Sequence, residues 1–382
     1  MDQLTEIVVV GAGVIGASSA AHLARAGHRV TVVEARSGSA DGSTGRSFGA
    51  VRAQWADAMN VALSWESIQR LRAFPEEHGV DVGFQPLGYL MLVPEASWEA
   101  QLAAVELQRS YGVPVEVLDV ERSRAVVPHA PEGVAGATWC GTDGVVDPRL
   151  LTDAYLDQAR AAGADVWFDH PVTEVNAGAD GQWRVRAGDK TITAQWVVNA
   201  AGGWAGELGN LAGMSIPVEH SRRSMYAASA TTFDRYVPMT IDLSTGIFVR
   251  TRGDHVVFSL APPNPDPGYF DTPDWDWFEV VQPRAYERFP WLADLPLDRS
   301  ASWGGTYEVT PDLQGILGPD PSAPTWVNAC GFSGHGLMQA PVIGQLVAEQ
   351  LGQGRMTSFD VDGLRPERFV QGVGLHRAGL VV

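Results

Sequence analysis

The glycine and acidic residues near the start of the chain are spaced for binding a ligand that contains phosphates. Gly11, Gly13 and Gly16 form a GxGxxG pattern within GAGVIG. The first glycine permits a tight turn, the second lets a pyrophosphate approach the backbone, and the third lets the next helix pack closely. Glu34 follows 23 residues after Gly11 and can accept hydrogen bonds from both hydroxyls of an adenosine ribose. These residues predict a dinucleotide site.

A second glycine-rich turn lies near the other end of the chain, in CGFSGHGLMQAP. Gly331, Gly334 and Gly336 would aim backbone N–H groups at an electron-rich ligand atom. The alternative is a glycine-rich connection before a core helix. Two such turns suit a long cofactor, with its phosphates at one turn and its redox ring at the other.

Both turns are predicted to lie between a strand and a helix. Apolar residues at 7–10 indicate a buried parallel strand, and a small-residue helix follows them. A second strand at 29–33 leads to Glu34. The other predicted strands are 165–168, 172–175, 183–186, 191–194, 196–202 and 325–329. The other predicted helices are 57–74, ending near Pro75, then 95–112, 147–163 and 342–351.

Composition narrows the class of protein. The 382 residues carry a formal charge of −18, which argues against nucleic acid or an anionic membrane as a partner. No apolar run approaches the roughly 20 residues that span a bilayer. The first strand starts too early for a signal peptide, so the cytoplasm is the expected location.

Cys140 and Cys330 are too few for a disulfide framework or a cysteine zinc site, and no metal is expected. Lys190 is the one lysine among 27 basic residues, so no active-site lysine is expected.

Five segments resemble, in order and spacing, the D-amino-acid oxidase family of FAD-dependent flavoproteins. They are GAGVIG with Glu34, STGRSFGAVR, NAAGGWAGEL, WGGTYEVTPD and CGFSGHG. The similarity is greatest to the branch of sarcosine oxidase, dimethylglycine dehydrogenase and L-proline dehydrogenase. It implies an α/β fold with a Rossmann-like FAD-binding domain interleaved with an α+β substrate domain built on an antiparallel sheet. The implied FAD-binding domain is 1–75, 140–215 and 301–382, and the implied substrate-binding domain is 76–139 and 216–300.

The resemblance also implies the residues that hold the cofactor. Gly11, Gly13 and Gly16 would hold the FAD pyrophosphate, and Glu34 the adenosine ribose. The other matched positions are a loop beside the phosphates and flavin (Ser43, Thr44), a strand residue that reads the adenine (Val172), a strand end that covers the dinucleotide (Ala201, Gly202, Trp204) and the turn at the flavin's pyrimidine edge (Gly334, His335, Gly336, Leu337, Met338). Donors at that turn would stabilise the anionic reduced ring.

The chain also differs at several positions from the enzymes of the branch that it resembles. The cysteine that tethers flavin in monomeric sarcosine oxidases falls at Gly305, and the histidine tether of dimethylglycine dehydrogenases is absent near 43–48. Non-covalent FAD is therefore expected. The lysine that promotes the reaction with oxygen falls near Val257, and a lysine that helps to bind the substrate carboxylate falls at Met338. The electron acceptor, oxygen or another molecule, stays open.

The resemblance implies that three residues act on the substrate. Arg52 matches the arginine that pairs with the substrate carboxylate, a planar group that a guanidinium binds with two hydrogen bonds. Its alternative role is that of a structural salt bridge or a surface arginine. Tyr307 matches a tyrosine near the substrate and His335 lies beside the ring, with a structural role open for each. Arg222 and Arg223 match a basic pair at the entry to the substrate domain, where ion pairing and ligand contact are both open.

The expected function is oxidation of the C–N bond of an amino acid or secondary amine by hydride transfer to FAD, giving an imine that hydrolyses. Val249 and Ala261 fall where sarcosine enzymes have polar residues, which predicts a more apolar pocket. One alternative is an FAD-dependent 2-hydroxy acid oxidase or dehydrogenase, for which Arg52 would serve equally. Another is a non-catalytic or electron-relaying flavoprotein subunit of a larger complex.

Overall fold

The computed structural model describes residues 2–263 and 265–370, and it arranges them around two large sheets. The α/β class expected from the sequence is confirmed. Residues 371–382, which the sequence assigned to the FAD-binding domain, lie outside the described residues. Among the helices that are described, none combines the length and apolar character that a bilayer crossing requires.

The strands alternate with helices along most of the chain. They are β1 (Asp2–Val10), β2 (Val30–Val33), β3 (Ala50–Val51), β4 (Tyr89–Val93), β5 (Val115–Leu118), β6 (Gly136–Cys140), β7 (Gly144–Val145), β8 (Asp165–Trp167), β9 (Val172–Ala177), β10 (Trp183–Ala187), β11 (Lys190–Asn199), β12 (Glu219–Ser229), β13 (Met239–Asp242), β14 (Phe248–Arg252), β15 (His255–Ser259), β16 (Leu297–Val309), β17 (Ile316–Asp320) and β18 (Ala323–Cys330).

The α-helices differ widely in length. They are α1 (Val14–Arg25), α2 (Ala58–His78), α3 (Glu95–Ser110), α4 (Val120–Val126), α5 (Pro148–Ala161), α6 (Ala205–Leu211), α7 (Trp275–Arg288), α8 (Gly336–Gln353) and α9 (Glu367–Val370). Short 3-10 turns lie at Gly202–Trp204, Pro290–Asp294 and Asp362–Leu364.

The first sheet carries the two glycine-rich turns at one edge. Its order is β17-β18-β11-β1-β2-β8, and β9 and β10 extend from β11 as an antiparallel pair. Strands β18, β11, β1, β2 and β8 run parallel, so their carboxyl ends meet at the same edge. The apolar side chains at 7–10 of β1 are buried, and α1 packs against both α5 and α8 on one face. This edge is where open α/β sheets bind their ligands.

The second sheet presents one face to a hydrophobic core and the other to the ligand edge of the first sheet. Its order is β16-β12-β15-β14-β13-β4-β6-β5, antiparallel except for the parallel pair of β4 and β13. Successive strand residues point to opposite faces. Leu90 and Leu92 therefore pack in the core with Phe278 of α7, whereas Tyr89 packs on the other face with Met225.

Several element boundaries differ from the sequence-based expectation. The strands predicted at 191–194 and 196–202 are one strand, β11, because no turn residue separates them, and this strand ends at Asn199. Helix α2 continues through Pro75 to His78 and ends where Gly79 adopts φ +70°. Helix α8 begins at Gly336, six residues earlier than predicted. Strand β16 pairs within the second sheet and crosses the proposed domain boundary at residue 300. The division into domains stays a prediction.

Candidate active site

Two adjoining cavities lie at the ligand edge of the first sheet. The larger has a volume of about 390 Å³, and the smaller has a volume of about 120 Å³. Five residues belong to the walls of both cavities: Val14, Ile15, Ser43, Thr44 and Glu308. The cavities therefore form one elongated site, in which the second sheet supplies part of the wall of the smaller cavity.

The first glycine turn shapes the larger cavity. Gly11 has φ +108°, and a Cβ atom there would lie 2.4 Å from the carbonyl oxygen of Ala200. A Cβ atom on Gly16 would lie 2.0 Å from the carbonyl oxygen of Gly11, so Gly16 serves the packing of α1 and lies outside both cavity walls. Gly13 and the first residues of α1 line the larger cavity. The N-terminus of α1 consequently supplies the positive end of a helix dipole there.

Glu34 occupies the end of β2 predicted for it. Its two carboxylate oxygens accept hydrogen bonds from the backbone N–H groups of Ala12 (2.8 Å) and Arg36 (2.9 Å). A carboxylate has further lone pairs available for ligand hydroxyls. These two backbone groups hold the acid in place in the wall of the larger cavity, and its contact with a ribose stays a prediction.

The other residues predicted to bind the cofactor divide between the two cavities. Those in the larger cavity wall are Ser43, Thr44, Val172, Ala201, Gly202 and Trp204. Those in the smaller cavity wall are Ser43, Thr44, Gly334, His335, Gly336, Leu337 and Met338. Parts of the chain far apart in sequence therefore meet along one elongated space.

The second glycine turn closes against the predicted substrate residues. Gly334 has φ +92°, and a Cβ atom there would lie 2.6 Å from the ring of Tyr307. Helix α8 begins at Gly336 and directs its positive end at the smaller cavity. Glycine at position 334 is therefore required by both its backbone conformation and the close approach of Tyr307.

Arg52 is a buried cation in the smaller cavity wall. Its side chain is 7% exposed, stacks 3.7 Å above the ring of Trp55 and donates to the backbone carbonyl of Gln54 (2.6 Å). It forms no ion pair with any carboxylate of the described chain. Burial lowers the pKa of its guanidinium, and the nearby Tyr89 and Asp143 oppose that shift. The predicted alternative, a structural salt bridge, is absent among the described residues.

His335 lies at the start of α8 with its ring edge-on to Trp55 at 4.4 Å between centroids. Burial lowers its pKa to about 3, and Arg52 adds to this shift. The ring is therefore neutral at neutral pH, and its Nε2 atom has no hydrogen-bond partner in the described structure. This atom can exchange a hydrogen bond with a ligand, but the ring is a weak base.

Glu308 lies where the two cavities meet, although the sequence reasoning gave it no role. Burial raises the pKa of its carboxyl to about 7, and the backbone N–H of Gly331, 3.2 Å from Oε2, opposes that shift. It directly follows Tyr307 in the WGGTYEVTPD segment. Its position next to Tyr307 in that segment was the signal from which a place in the site could have been predicted.

Sequence reasoning also assigned the wrong face of β14 to the pocket. Val249 is buried in the core of the second sheet, whereas Phe248 lines the smaller cavity. Strand alternation places Arg250 on the same side as Phe248. Arg223 of β12 lines the cavity as well. Arg46, Arg52 and Arg223 line the smaller cavity together with apolar and aromatic residues, and the expectation of a more apolar pocket stays a prediction.

These features fit an extended, negatively charged cofactor such as FAD. The larger cavity combines a glycine cradle, a helix N-terminus and an acid placed for a ribose, as a dinucleotide requires. The second glycine turn and the N-terminus of α8 offer backbone donors to an electron-rich ring. Within the described residues, no cluster of His, Cys, Asp or Glu is arranged to hold a metal ion.

Comparisons with known proteins give a consistent assignment. The model of the FAD dependent oxidoreductase (DAO) family matches residues 6–350. FAD-dependent oxidoreductase domain-containing protein 1 of Bos taurus is 30% identical, over 96% of this chain and 85% of that protein. Mitochondrial dimethylglycine dehydrogenase of Homo sapiens is 27% identical, over 95% of this chain and 44% of that protein. The crystal structure of L-proline dehydrogenase from P. horikoshii matches with a TM-score of 0.90 and 29% identity, over 97% of this chain and 99% of that chain.

Proposed function

The chain belongs to the FAD-dependent oxidoreductase family, and from that premise we propose that it oxidises the C–N bond of a carboxylate-bearing amine. The substrate class is an amino acid or a secondary amine, either N-substituted or cyclic. Bound FAD would supply the hydride acceptor. The product would be an imine that hydrolyses in water.

The single observation that carries this proposal is the unpaired guanidinium of Arg52. A buried charge without a partner is costly, and a substrate carboxylate would compensate it with two charge-assisted hydrogen bonds. Arg52 lies in the same cavity wall as the turn at 334–338, which is predicted to face the flavin. It would thus orient the carbon beside the carboxylate toward the redox ring.

The cationic wall would also favour the reactive form of the substrate. An amine must be neutral when hydride leaves the adjacent carbon, and nearby positive charges lower the pKa of an ammonium group. Arg52 and Arg223 supply such charges. No protein base is then required, which agrees with the low pKa of His335.

The residues that would hold FAD remain those predicted from the sequence. Gly11, Gly13 and the N-terminus of α1 would bind the pyrophosphate, and Glu34 the ribose. The turn at 334–338 would contact the flavin. Gly16 would act indirectly, by permitting the approach of α1 to the turn at Gly11.

An anaerobic screen tests the proposal. The purified holoprotein would be mixed with N-methyl, D-, L- and cyclic amino acids and with 2-hydroxy acids of matched carbon skeleton. We expect an amine to bleach the flavin and its hydroxy-acid counterpart to leave it oxidised. Bleaching by hydroxy acids alone would favour the rival alcohol oxidation. Bleaching by dithionite but by neither class would favour a non-catalytic subunit.

A further inference from the structure

Arginines in the interior and in the wall of the smaller cavity differ in whether they form ion pairs. Arg288 and Arg368 are each paired with a buried aspartate, Asp242 and Asp312, at 2.8 Å. The cavity wall contains Arg46, Arg52 and Arg223; Arg52 is buried, the other two are partly exposed, and none of them forms an ion pair within the described chain. Arg250 is buried and also forms no ion pair there, but it lies outside the cavity wall. Because the chain has 45 acidic residues against 27 basic ones, a shortage of carboxylates does not explain the difference.

Arg223 is held in place by neutral groups. Its Nη1 atom donates to the hydroxyl of Ser221 (2.7 Å) and to the carbonyl of Arg222 (2.8 Å), and its guanidinium lies 4.5 Å from the centroid of the Tyr307 ring. Its Nε atom has no partner. The guanidinium of Arg223 is thus held in one orientation, and no carboxylate compensates its charge.

The neighbouring residue provides an internal comparison. Arg222 points to the other side of β12, where it pairs with Asp274 at 3.3 Å and lies 4.4 Å from the ring centroid of Phe270. The two roles that the sequence left open for this basic pair are therefore divided between its members. Arg222 is an ion-paired structural residue, and Arg223 faces the cavity.

No carboxylate lies directly opposite Arg223 on the neighbouring strand. This residue is opposite Gly305 in the antiparallel pairing of β12 with β16, so no side chain projects from the partner position. Tyr307 lies within electrostatic range of both Arg52 and Arg223. Most of the remaining wall from the second sheet is apolar or aromatic: Tyr89, Met225, Met239 and Phe248.

We propose that the smaller cavity contains two anion subsites, Arg52 and Arg223, and that the preferred substrate is an amine carrying two acidic groups. This inference rests on the proposed function and deepens it by naming the substrate class. Arg52 binds the carboxylate next to the oxidised carbon, and Arg223 binds a second carboxylate at the other end of the molecule. Such a substrate compensates the charges of both Arg52 and Arg223, whereas a monocarboxylic amine leaves one of them without a carboxylate partner.

Glu308 does not compensate these charges fully. It is the one acidic residue in the wall of this cavity among the residues described. Burial raises its pKa to about 7, so only part of the population is ionised at neutral pH. Its carboxyl also accepts the backbone N–H of Gly331, 3.2 Å away.

Inert carboxylates provide a binding test that does not require turnover. Succinate and glutarate would be titrated into the FAD-loaded protein against propionate and butyrate, with the flavin absorption spectrum as the readout. Since hydrogen bonds to charged groups contribute measurably, the dicarboxylates should bind at least about 10-fold more tightly. Arg223→Gln should abolish this preference, and Arg223→Lys should keep part of it. Arg222→Gln removes the same charge outside the cavity and should leave the preference unchanged.

A second arm separates this inference from the proposed function. N-methylaspartate and N-methylglutamate would be compared anaerobically with N-methylalanine and N-methylnorvaline, using both enantiomers of each. A dicarboxylate preference that disappears in Arg223→Gln supports the second subsite. Equal reduction by both series, or a preference that survives in Arg223→Gln, overturns it while leaving amine oxidation intact. Preferential binding of dicarboxylates without any flavin reduction supports the subsite and overturns amine oxidation.

Discussion

At the scale of single residues, the account depends on Arg52. Replacing it with methionine removes the charge and the hydrogen-bonding fork while keeping much of the side-chain volume. We expect kcat/KM for the amine to fall about 10- to 100-fold, the range that hydrogen bonds to charged groups support. The kcat/KM of Arg52→Lys should lie between the values of the unmodified protein and of Arg52→Met, because lysine keeps the charge and loses the planar geometry.

The control for Arg52 is an arginine on the surface. Arg184 pairs with Asp180 at 2.9 Å and is largely exposed, so Arg184→Met should leave kcat/KM unchanged. FAD content should be equal in all three variants. Steady-state kinetics with unaltered kcat/KM in Arg52→Met would contradict the assignment of this residue to substrate binding.

The raised pKa of Glu308 should make the free energy of unfolding depend on pH. Burial raises its pKa from 4.5 to about 7, so the folded state holds this proton more tightly than the unfolded state. The resulting stabilisation is complete below pH 4.5 and is lost as the pH rises through 7, by up to about 3 kcal/mol. Glu308→Gln should therefore gain stability relative to the unmodified protein between pH 5 and pH 8.

Denaturant unfolding of the FAD-free protein at several pH values measures this difference. The comparison with the variant isolates Glu308 from other buried groups. Asp143 acts in the same direction, because burial raises its pKa to about 6, and His335 acts in the opposite one, with its pKa lowered to about 3. A difference in unfolding free energy that stays constant with pH would refute the buried, protonated state.

At the scale of elements, the turn between β1 and α1 makes the sharpest prediction. Gly11 and Gly27 both have positive φ, +108° and +94°, but only at Gly11 would a Cβ atom meet another residue, the Ala200 carbonyl at 2.4 Å. Gly27→Ala should cost about 1–2 kcal/mol from backbone strain alone. Gly11→Ala should cost about 2–5 kcal/mol, because steric overlap adds to that strain, and should impair FAD retention.

Unfolding midpoints and the ratio of FAD to protein would separate these effects. A Gly11→Ala protein that is as stable as Gly27→Ala and equally yellow would show that the close contact with Ala200 is unimportant. The paired design matters because a positive φ penalises alanine at both positions. Only the additional loss of stability and of FAD in Gly11→Ala measures the role of the turn between β1 and α1.

Local signals explain which elements the sequence could predict. The β1 strand, the glycine turn and Glu34 lie within one short segment, so their geometry follows from spacing. The sequence predicted two separate strands in place of β11. A strand pattern judged over a few residues does not show whether neighbouring segments form one continuous strand. The early start of α8 at Gly336 was missed because glycine has low helix propensity, whereas the turn geometry favours it there.

Long-range pairing explains what the sequence could not predict. Whether Val249 or Phe248 faces the cavity depends on how β14 pairs with β13 and β15, which local alternation does not determine. The cavity position of Arg223 likewise follows from pairing of β12 with β16, some 80 residues later. That Arg52 forms no ion pair within the described chain becomes visible only when the surrounding segments are placed in space.

At the scale of the whole molecule, the way FAD is held distinguishes this chain from the tethered enzymes that its sequence resembles. Gly305 lines the smaller cavity and has no side chain for a covalent bond, and neither cysteine contributes to either cavity wall. We predict that acid precipitation releases the yellow colour into the supernatant. Colour that stays with the precipitated protein would contradict non-covalent binding.

The overall charge also contrasts with the charge of the site. The chain carries a formal charge of −18, yet arginines without carboxylate partners line the cavity beside the second glycine turn. A protein that is anionic overall and cationic at one enclosed place attracts acidic ligands there only at close range, since exposed charges are screened over about 10 Å. We therefore expect an anionic amine to be recognised within the cavity itself and not to be steered there from a distance.

The most direct test of the central claim is an anaerobic single-turnover experiment on the FAD-loaded protein. The best amine from the screen would be mixed with the protein, and the reduced flavin and the oxidised product would both be counted. The account predicts one equivalent of imine, or of its hydrolysis products, for each flavin reduced, with the yield greatly diminished in Arg52→Met over the same time. Flavin reduction without any product of C–N oxidation, or no reduction by any carboxylate-bearing amine, would contradict it.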